Sequence, residues 1–475
     1  MANHLFDLVR LYGTEPAKTF IETEDGTVFT YDDLFAATGR FAHALVASGV
    51  KPGDRVAVQV EKSPGAIFLY LACVRAGAVF LPLNTGYTLA EIEYFLSDAE
   101  PSLVVCDPGR REGIAEVAAR TGVPAVETLG RGKDGSLWNK ANAQEPVFDT
   151  VSRDADDLAA ILYTSGTTGR SKGAMLTHDN LASNALTLKD YWKFTKDDVL
   201  LHALPIFHTH GLFVATNTIL MAGASMLFLP KFDTPGATRH MRLFISGSAP
   251  LLAETHRAFR EKTGQAILER YGMTETNMNT SNPYDGERVA GTVGFPLPGV
   301  ELRVTDPETG AAIPQGEIGM IEVKGPNVFK GYWRMPEKTA AEFRADGFFI
   351  TGDLGKIDPD GYVHIVGRGK DLVISGGYNV YPKEVETEID GMAGVFESAV
   401  IGVPHPDFGE GVTAVVVPTP GAKLDEGTIL TALEARLAKF KLPKRVIVVD
   451  DLPRNTMGKV QKNVLRETYK GIYGA

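Results

Sequence analysis

The chain has 475 residues, 44% of them hydrophobic and 23% charged, and a mean hydropathy of −0.05, an ordinary globular composition with room for one large domain and a smaller one. A formal net charge of −11 and a pI near 5.5 argue against a basic surface for nucleic acid, so any phosphate is expected to be bound locally. Two cysteines make no disulfide framework, no apolar run reaches the ~18 residues of a membrane span, and no basic-then-apolar signal opens the chain, so a cytoplasmic protein without membrane or nucleic-acid partners is expected.

Through residues 1–290, short aliphatic runs alternate with helix-period stretches, the pattern of parallel sheets built from βαβ units. Residues 55–60, 79–83, 103–107, 158–164, 199–204, 225–230 and 243–246 are predicted strands, and 34–46, 66–76, 89–96 and 181–192 predicted helices. From about residue 300, closely spaced strands with turns such as Pro359-Asp360-Gly361 predict a small antiparallel unit closing the large domain. After residue 370 a βαβ-like pattern returns, with helices at 385–389 and 429–440 and strands at 399–403 and 413–417. The expected fold is therefore α/β: a large N-terminal domain, 1–369, of parallel βαβ sheets plus a small β unit, followed by a small α+β C-terminal domain, 370–475.

One connection does not fit. Residues 225–230 and 243–246 both read as buried strands, yet only the polar, turn-rich stretch 231–240 separates them, and a parallel crossover needs about a dozen residues. Either these strands are not parallel neighbours or a segment is missing. In the second case two consecutive Cα atoms between residues 232 and 240 should lie much further apart than ~3.8 Å.

The run Thr164-Ser165-Gly166-Thr167-Thr168-Gly169-Arg170-Ser171-Lys172-Gly173 follows the apolar strand 158–164 directly. Its hydroxyls and backbone N–H groups suit phosphate oxygens, with Lys172 as a point charge, although the order of Lys and Ser is not that of a Walker A loop. Four further motifs follow: Tyr271-Gly272-Met273-Thr274-Glu275, Thr351-Gly352-Asp353, Gly367-Arg368-Gly369-Lys370-Asp371 and Pro453-Arg454-Asn455-Thr456-Met457-Gly458-Lys459. Read alone, Glu275 also suits a helix cap, Asp353 a turn, and Arg368 and Lys459 a solvated surface.

Together, in this order, the five motifs resemble those of the adenylate-forming superfamily of acyl-CoA synthetases, adenylation domains and luciferases, over almost the whole chain. The resemblance implies attack of a carboxylate on the α-phosphate of ATP, then transfer of the acyl group to coenzyme A. It places ATP on Thr164, Ser165, Gly166, Thr167, Thr168, Lys172, Tyr271 and Thr274, with Asp353 on the ribose, Arg368 on the ribose or phosphate, and Mg²⁺ on Glu275 and Thr164. Lys459 is expected to bridge the acid and the α-phosphate, Lys370 to be the hinge of a mobile C-terminal domain, and Gly376-Gly377 to let the pantetheine arm pass.

His208, Thr209, His210 and the polar run 274–282 should flank the acyl site, where a fatty acid would need an apolar tunnel. Within the superfamily they look most like malonyl-CoA synthetases, which implies malonate, or methylmalonate, as the acid. An enzyme loading another small acid onto CoA or a carrier protein is the alternative. The members carry an extra helix and strand where this chain has 231–240, including an arginine expected to hold the distal carboxylate. That leaves Arg257, His208 and His210 for that role, with Met278 beside the acyl group and His208 near the reacting carboxylate.

Overall fold

The computed structural model describes residues 3–164, 171–231, 240–248, 251–376, 378–434, 436–455 and 458–474. A seven-stranded sheet runs in the order Gly331–Tyr332, Lys172–Thr177, Leu158–Thr164, Val79–Pro82, Arg55–Gln59, Leu103–Cys106, Val126–Thr128. From Leu158–Thr164 outward to Val126–Thr128 the pairs are parallel, as βαβ units require. Leu158–Thr164 and Lys172–Thr177, by contrast, form an antiparallel pair, because seven residues are too few for a crossover. This departs from the all-parallel expectation and presents Thr164 opposite Lys172 at the mouth of the hairpin.

Helix Pro64–Arg75 is buried from residue 65 to 75, as a helix apolar on all sides must be. Its Phe68 meets Phe29 edge to face at 5.4 Å. Phe68→Ala is expected to cost about 3 to 5 kcal/mol, read as a lowered guanidinium midpoint with the far-UV spectrum retained. Helices Tyr31–Ala47 and His178–Tyr191 each begin with a capping box, closed by Thr30 with Asp33 and by Thr177 with Asn180.

A second sheet runs Val28–Thr30, Thr19–Thr23, Ser225–Phe228, Val199–His202, and a third Ile245–Ser246, Leu268–Met273, Asn277–Ser281, Phe295–Pro296. The two strands flanking the short connection thus belong to different sheets and are not parallel neighbours. Residues 232–239 lie outside the described residues, so the Cα-spacing expectation falls there too. The predicted antiparallel unit is present as Glu301–Thr305, Gly319–Lys324, Phe349–Ile357 and Val363–Arg368, every pair antiparallel.

Beyond Asp371, Val395–His405 and Gly409–Pro418 form a long antiparallel hairpin, and Gly409–Pro418 continues through helix Glu426–Glu434 to its parallel partner Arg445–Val448. Two apolar clusters cover its faces, one around Val373, Val385 and Val412 and the other around Ile401, Val415 and Leu465. The predicted helix 429–440 stops early: its last part is the 3₁₀ turn Lys439–Lys441, where Phe440 leaves helical register to stack on Tyr378 at 4.8 Å. Among the described residues no helix is long and apolar enough to cross a membrane.

Candidate active site

Strand Leu268–Met273 runs into a tight turn and returns as Asn277–Ser281, with a register shift at Tyr271/Gly272. Gly272 is required there, because any Cβ would collide with the Asn277 carbonyl oxygen. The turn sets Glu275 inward, 6% exposed, and Asn277 adopts a left-handed φ of +48° to complete it. The Tyr332 hydroxyl lies 3.0 Å from Glu275 Oε1 and 2.6 Å from Glu342 Oε2. Burial pushes the Glu275 carboxyl above its ordinary range, against the pull of Tyr332, Lys172 and Arg368.

Lys172 opens its strand from the other side. Its ammonium sits 4.0 Å from the Tyr332 ring centroid and 3.3 Å from Glu342 Oε1. Tyr332 and Glu342 were carried by no sequence motif, yet they hold the glutamate and the lysine in one cluster. Among the predicted loop residues, Thr164 ends its strand and is half-buried, whereas Ser165, Gly166, Thr167 and Thr168 lie outside the described residues.

Asp353 and Arg368 face one another across adjacent antiparallel strands, in register, with Arg368 Nε 2.7 Å from Asp353 Oδ1. The Tyr271 hydroxyl donates to Asp353 Oδ2 at 2.5 Å. Asp353 is 4% exposed, and its charge raises the Arg368 pKa. The Tyr271 phenol is held well above its usual value, by burial first and then by Asp353.

Lys459 comes from the far end of the chain, yet its ammonium feels the charges of Arg368, Asp353, Arg270 and Glu275. Its loop is fastened by the Asn455 side chain, whose Oδ1 accepts from Lys459 N at 3.0 Å. Much of the residue is open to solvent, but burial of the ammonium, followed by the charge of Arg368, draws its pKa below that of a free lysine. Lys370 lies in the 3₁₀ turn Gly369–Asp371, between strand Val363–Arg368 and strand Val373–Ser375.

His208 and His210 precede and open the π-helical turn His210–Thr216, an irregularity common at functional sites. His208 Nδ1 is buried with no partner among the described residues, and burial followed by the charges of Lys459 and Arg270 holds that imidazole's pKa down to about 4. His210 Nδ1 lies 2.9 Å from Ser248 Oγ and is likewise kept neutral. Met278 is 1% exposed and packs with Leu188, Trp192 and Val214, directly beneath Gly272. Thr274 lies half-buried in the turn before Glu275.

Two predicted positions stand apart from this cluster. Arg257 is exposed on the outer side of helix Ala253–Thr263, whose inward residue is His256. Gly376 has φ +61° and donates its N–H to Phe408 O at 2.8 Å; Gly377 lies outside the described residues. A third residue, besides Tyr332 and Glu342, is marked by no motif. Arg270, 3% exposed, occupies the strand position before Tyr271 and presses its guanidinium against Gly247.

Residues 10–240 and 236–333 match the family described as AMP-binding enzyme, in two segments that meet at the short connection, and residues 384–459 match its C-terminal domain. The crystal structure of ATP-bound MatB from Rhodopseudomonas palustris is similar with a TM-score of 0.96 and 65% identity, over 99% of this chain and 100% of that one. A malonate–CoA ligase of Arabidopsis thaliana is 34% identical over 88% of this chain and 79% of its own length. A feruloyl-CoA synthase of an Amycolatopsis species is 36% identical over 94% of both.

Proposed function

The chain belongs to the AMP-binding enzyme family, and we propose that it is an AMP-forming acid–thiol ligase whose acid is malonate. One observation carries the reading: Asp353 and Arg368 pair at 2.7 Å, and the charges of Arg368, Asp353 and Glu275, from separate parts of the chain, all act on the Lys459 ammonium. A carboxylate oxygen of the acid attacks the α-phosphorus of ATP, the P–O bond to pyrophosphate breaks, and an acyl-adenylate remains. The thiol of coenzyme A then attacks the acyl carbonyl, losing its proton as the C–S bond forms and AMP departs. Both steps are positioning and charge compensation; neither needs a covalent bond to the protein.

The residues divide by charge. Asp353 offers a buried acceptor to the ribose hydroxyls, and Arg368 beside it offers donors to ribose or phosphate. Lys172 and the loop from Thr164 to Thr168 hold the phosphates, Tyr271 and Thr274 bound the nucleotide, and Lys459 bridges the acid and the α-phosphate. Glu275 and Thr164 supply the two hard oxygens that suit Mg²⁺, an ion that keeps most of its other ligands as phosphate and water. When bound, Mg²⁺ neutralises phosphate charge; the buried Glu275 carboxyl, with its raised pKa, is a fitting place for a compensating cation. Residues 370–475 form the mobile domain and residues 1–369 the domain that holds ATP and the acid, with Lys370 as the hinge and Gly376 and Gly377 beside the pantetheine path. Buried free thiols at Cys73 and Cys106 suit the cytoplasm.

Acid-dependent AMP formation in a panel of mono- and dicarboxylates, with and without CoA, tests the reading. Malonate is expected to exceed acetate and octanoate by at least about 10²-fold in kcat/KM, because a site of buried polar groups penalises an acid that leaves them unpaired. Preference for octanoate or for an aromatic acid, as the feruloyl-CoA synthase relative would suggest, overturns it.

A further inference from the structure

Glu342 stands where its helix gives a carboxylate no help. It is the C-terminal cap of helix Pro336–Ala341, the end at which a helix favours a cation. Its backbone is pinned: the Glu342 carbonyl accepts from Ile350 N at 2.8 Å in strand Phe349–Ile357, and the adjoining Phe343 packs between Phe329 and Phe349 at 5.9 and 5.3 Å. Three groups converge on its carboxylate. Oε1 lies 2.7 Å from Lys338 Nζ and 3.3 Å from Lys172 Nζ, and Oε2 accepts from the Tyr332 hydroxyl at 2.6 Å. Burial opposes the charge, but hydrogen bonds from Lys338 and Tyr332 and the charge of Lys172 hold the carboxyl below its ordinary range, so it is an anion at neutral pH.

Two cations on one oxygen are more than neutrality requires, and they differ in kind. Lys338 is exposed, one helical turn before Glu342, and makes the closer contact. Lys172 comes from the other side, opposite Thr164 at the mouth of the hairpin, on a long side chain whose ammonium also rests on the Tyr332 ring. Phosphate oxygens attract that ammonium as a carboxylate does. When Lys172 turns to a phosphate, Lys338 and Tyr332 still satisfy Glu342, so the exchange strands no half-buried charge. On the proposed reading that Lys172 holds the phosphates of ATP, we infer that Glu342 is a counter-ion that competes with phosphate for the Lys172 ammonium, and that Lys338 tempers the competition. Glu342 is thus a positioning residue that acts through Lys172. It loosens the hold on ATP and on pyrophosphate alike, and early departure of pyrophosphate keeps the acyl-adenylate from reverting to ATP and free acid.

The test measures equilibrium binding of a non-hydrolysable ATP analogue and of pyrophosphate, at saturating Mg²⁺, to the full-length wild type, Glu342→Gln, Lys338→Gln and the double variant. Glu342→Gln keeps the shape and removes the charge, so both ligands should bind about 3- to 10-fold more tightly, with the KM for the acid unchanged. Pyrophosphate should inhibit turnover more strongly by the same factor, and kcat should not rise. Lys338→Gln leaves Glu342 to Lys172 alone and should weaken both ligands about 2- to 5-fold. In the double variant the Lys338 substitution should have no further effect, because the carboxylate through which it acts is gone. A merely structural defect would loosen nucleotide binding; weaker or unchanged binding in a folded Glu342→Gln therefore overturns the inference, as does an undiminished Lys338 effect in the double variant. Should Glu342→Gln not fold, Lys338→Gln still decides, and unchanged affinity in it overturns the assignment. Lys172→Gln separates the two levels. If it binds the analogue as the wild type does, Lys172 does not hold the phosphates and both readings fall. If it binds weakly while Glu342→Gln binds no more tightly than wild type, only the role of Glu342 falls.

Discussion

Lys459→Ala is expected to lower adenylate formation by at least about 10³-fold, while conversion of supplied malonyl-AMP and CoA to thioester stays within a few-fold of wild type. The ammonium lies near Asp353, Glu275 and Arg270, on a loop fastened through Asn455, where it can meet an incoming carboxylate and the α-phosphate together. Negative charge is shared between those two groups only as the P–O bond to pyrophosphate weakens, so the interaction strengthens in the first transition state and has no counterpart when the thiol attacks. Lys459→Arg should not restore the rate, because a planar fork does not replace a compact point charge between two anions. Pyrophosphate release measures the first step and thioester formation from synthetic adenylate the second. Equal losses in both would assign Lys459 to the fold of its loop.

The sequence marks some strands around the candidate site plainly and leaves others unmarked. Strand Leu158–Thr164 matched its predicted bounds, because a continuous apolar run bounded by hydroxyls and glycines has one reading. Its partner Lys172–Thr177 has no such run, and only the closure of a short loop reveals it. Strand Asn277–Ser281 is concealed more deeply. Its residues are all buried and, apart from Met278, polar, and partners as distant as Asn184, Trp192 and Asn327 hydrogen-bond to them. A local pattern cannot foretell such long-range hydrogen bonds, so the stretch reads only as a polar run. Arg270 was hidden for the same reason, since an arginine in a strand is ordinarily surface. Arg257 was the more visible candidate, but it follows the inward His256 by one helical step, about 100° around the axis, and so points outward.

Glu275→Gln is expected to raise the Mg²⁺ concentration for half-maximal adenylation about 10- to 100-fold and to remove its pH dependence. The carboxyl is buried and held by Tyr332, and desolvation raises its pKa despite Lys172 and Arg368 nearby. Protonation and Mg²⁺ binding therefore compete for the same oxygens. Because the folded-state pKa lies above that of an exposed glutamate, the competition begins at a higher pH than it otherwise would. Apparent Mg²⁺ affinity in the wild type should accordingly weaken as pH falls and strengthen as it rises through that pKa. A glutamine keeps a carbonyl oxygen for the metal and a shape for the Tyr332 hydroxyl, but it cannot lose a proton, so its Mg²⁺ curve should be weak and flat with pH. Tyr332→Phe separates the two roles of the cluster. It removes the hydroxyl between Glu275 and Glu342 while leaving both carboxylates, so Mg²⁺ binding should weaken less than in Glu275→Gln and keep its pH dependence. Mg²⁺ titrations of pyrophosphate release at several pH values distinguish these cases, and a Glu275→Gln enzyme with the wild-type Mg²⁺ curve would exclude Glu275 as a ligand.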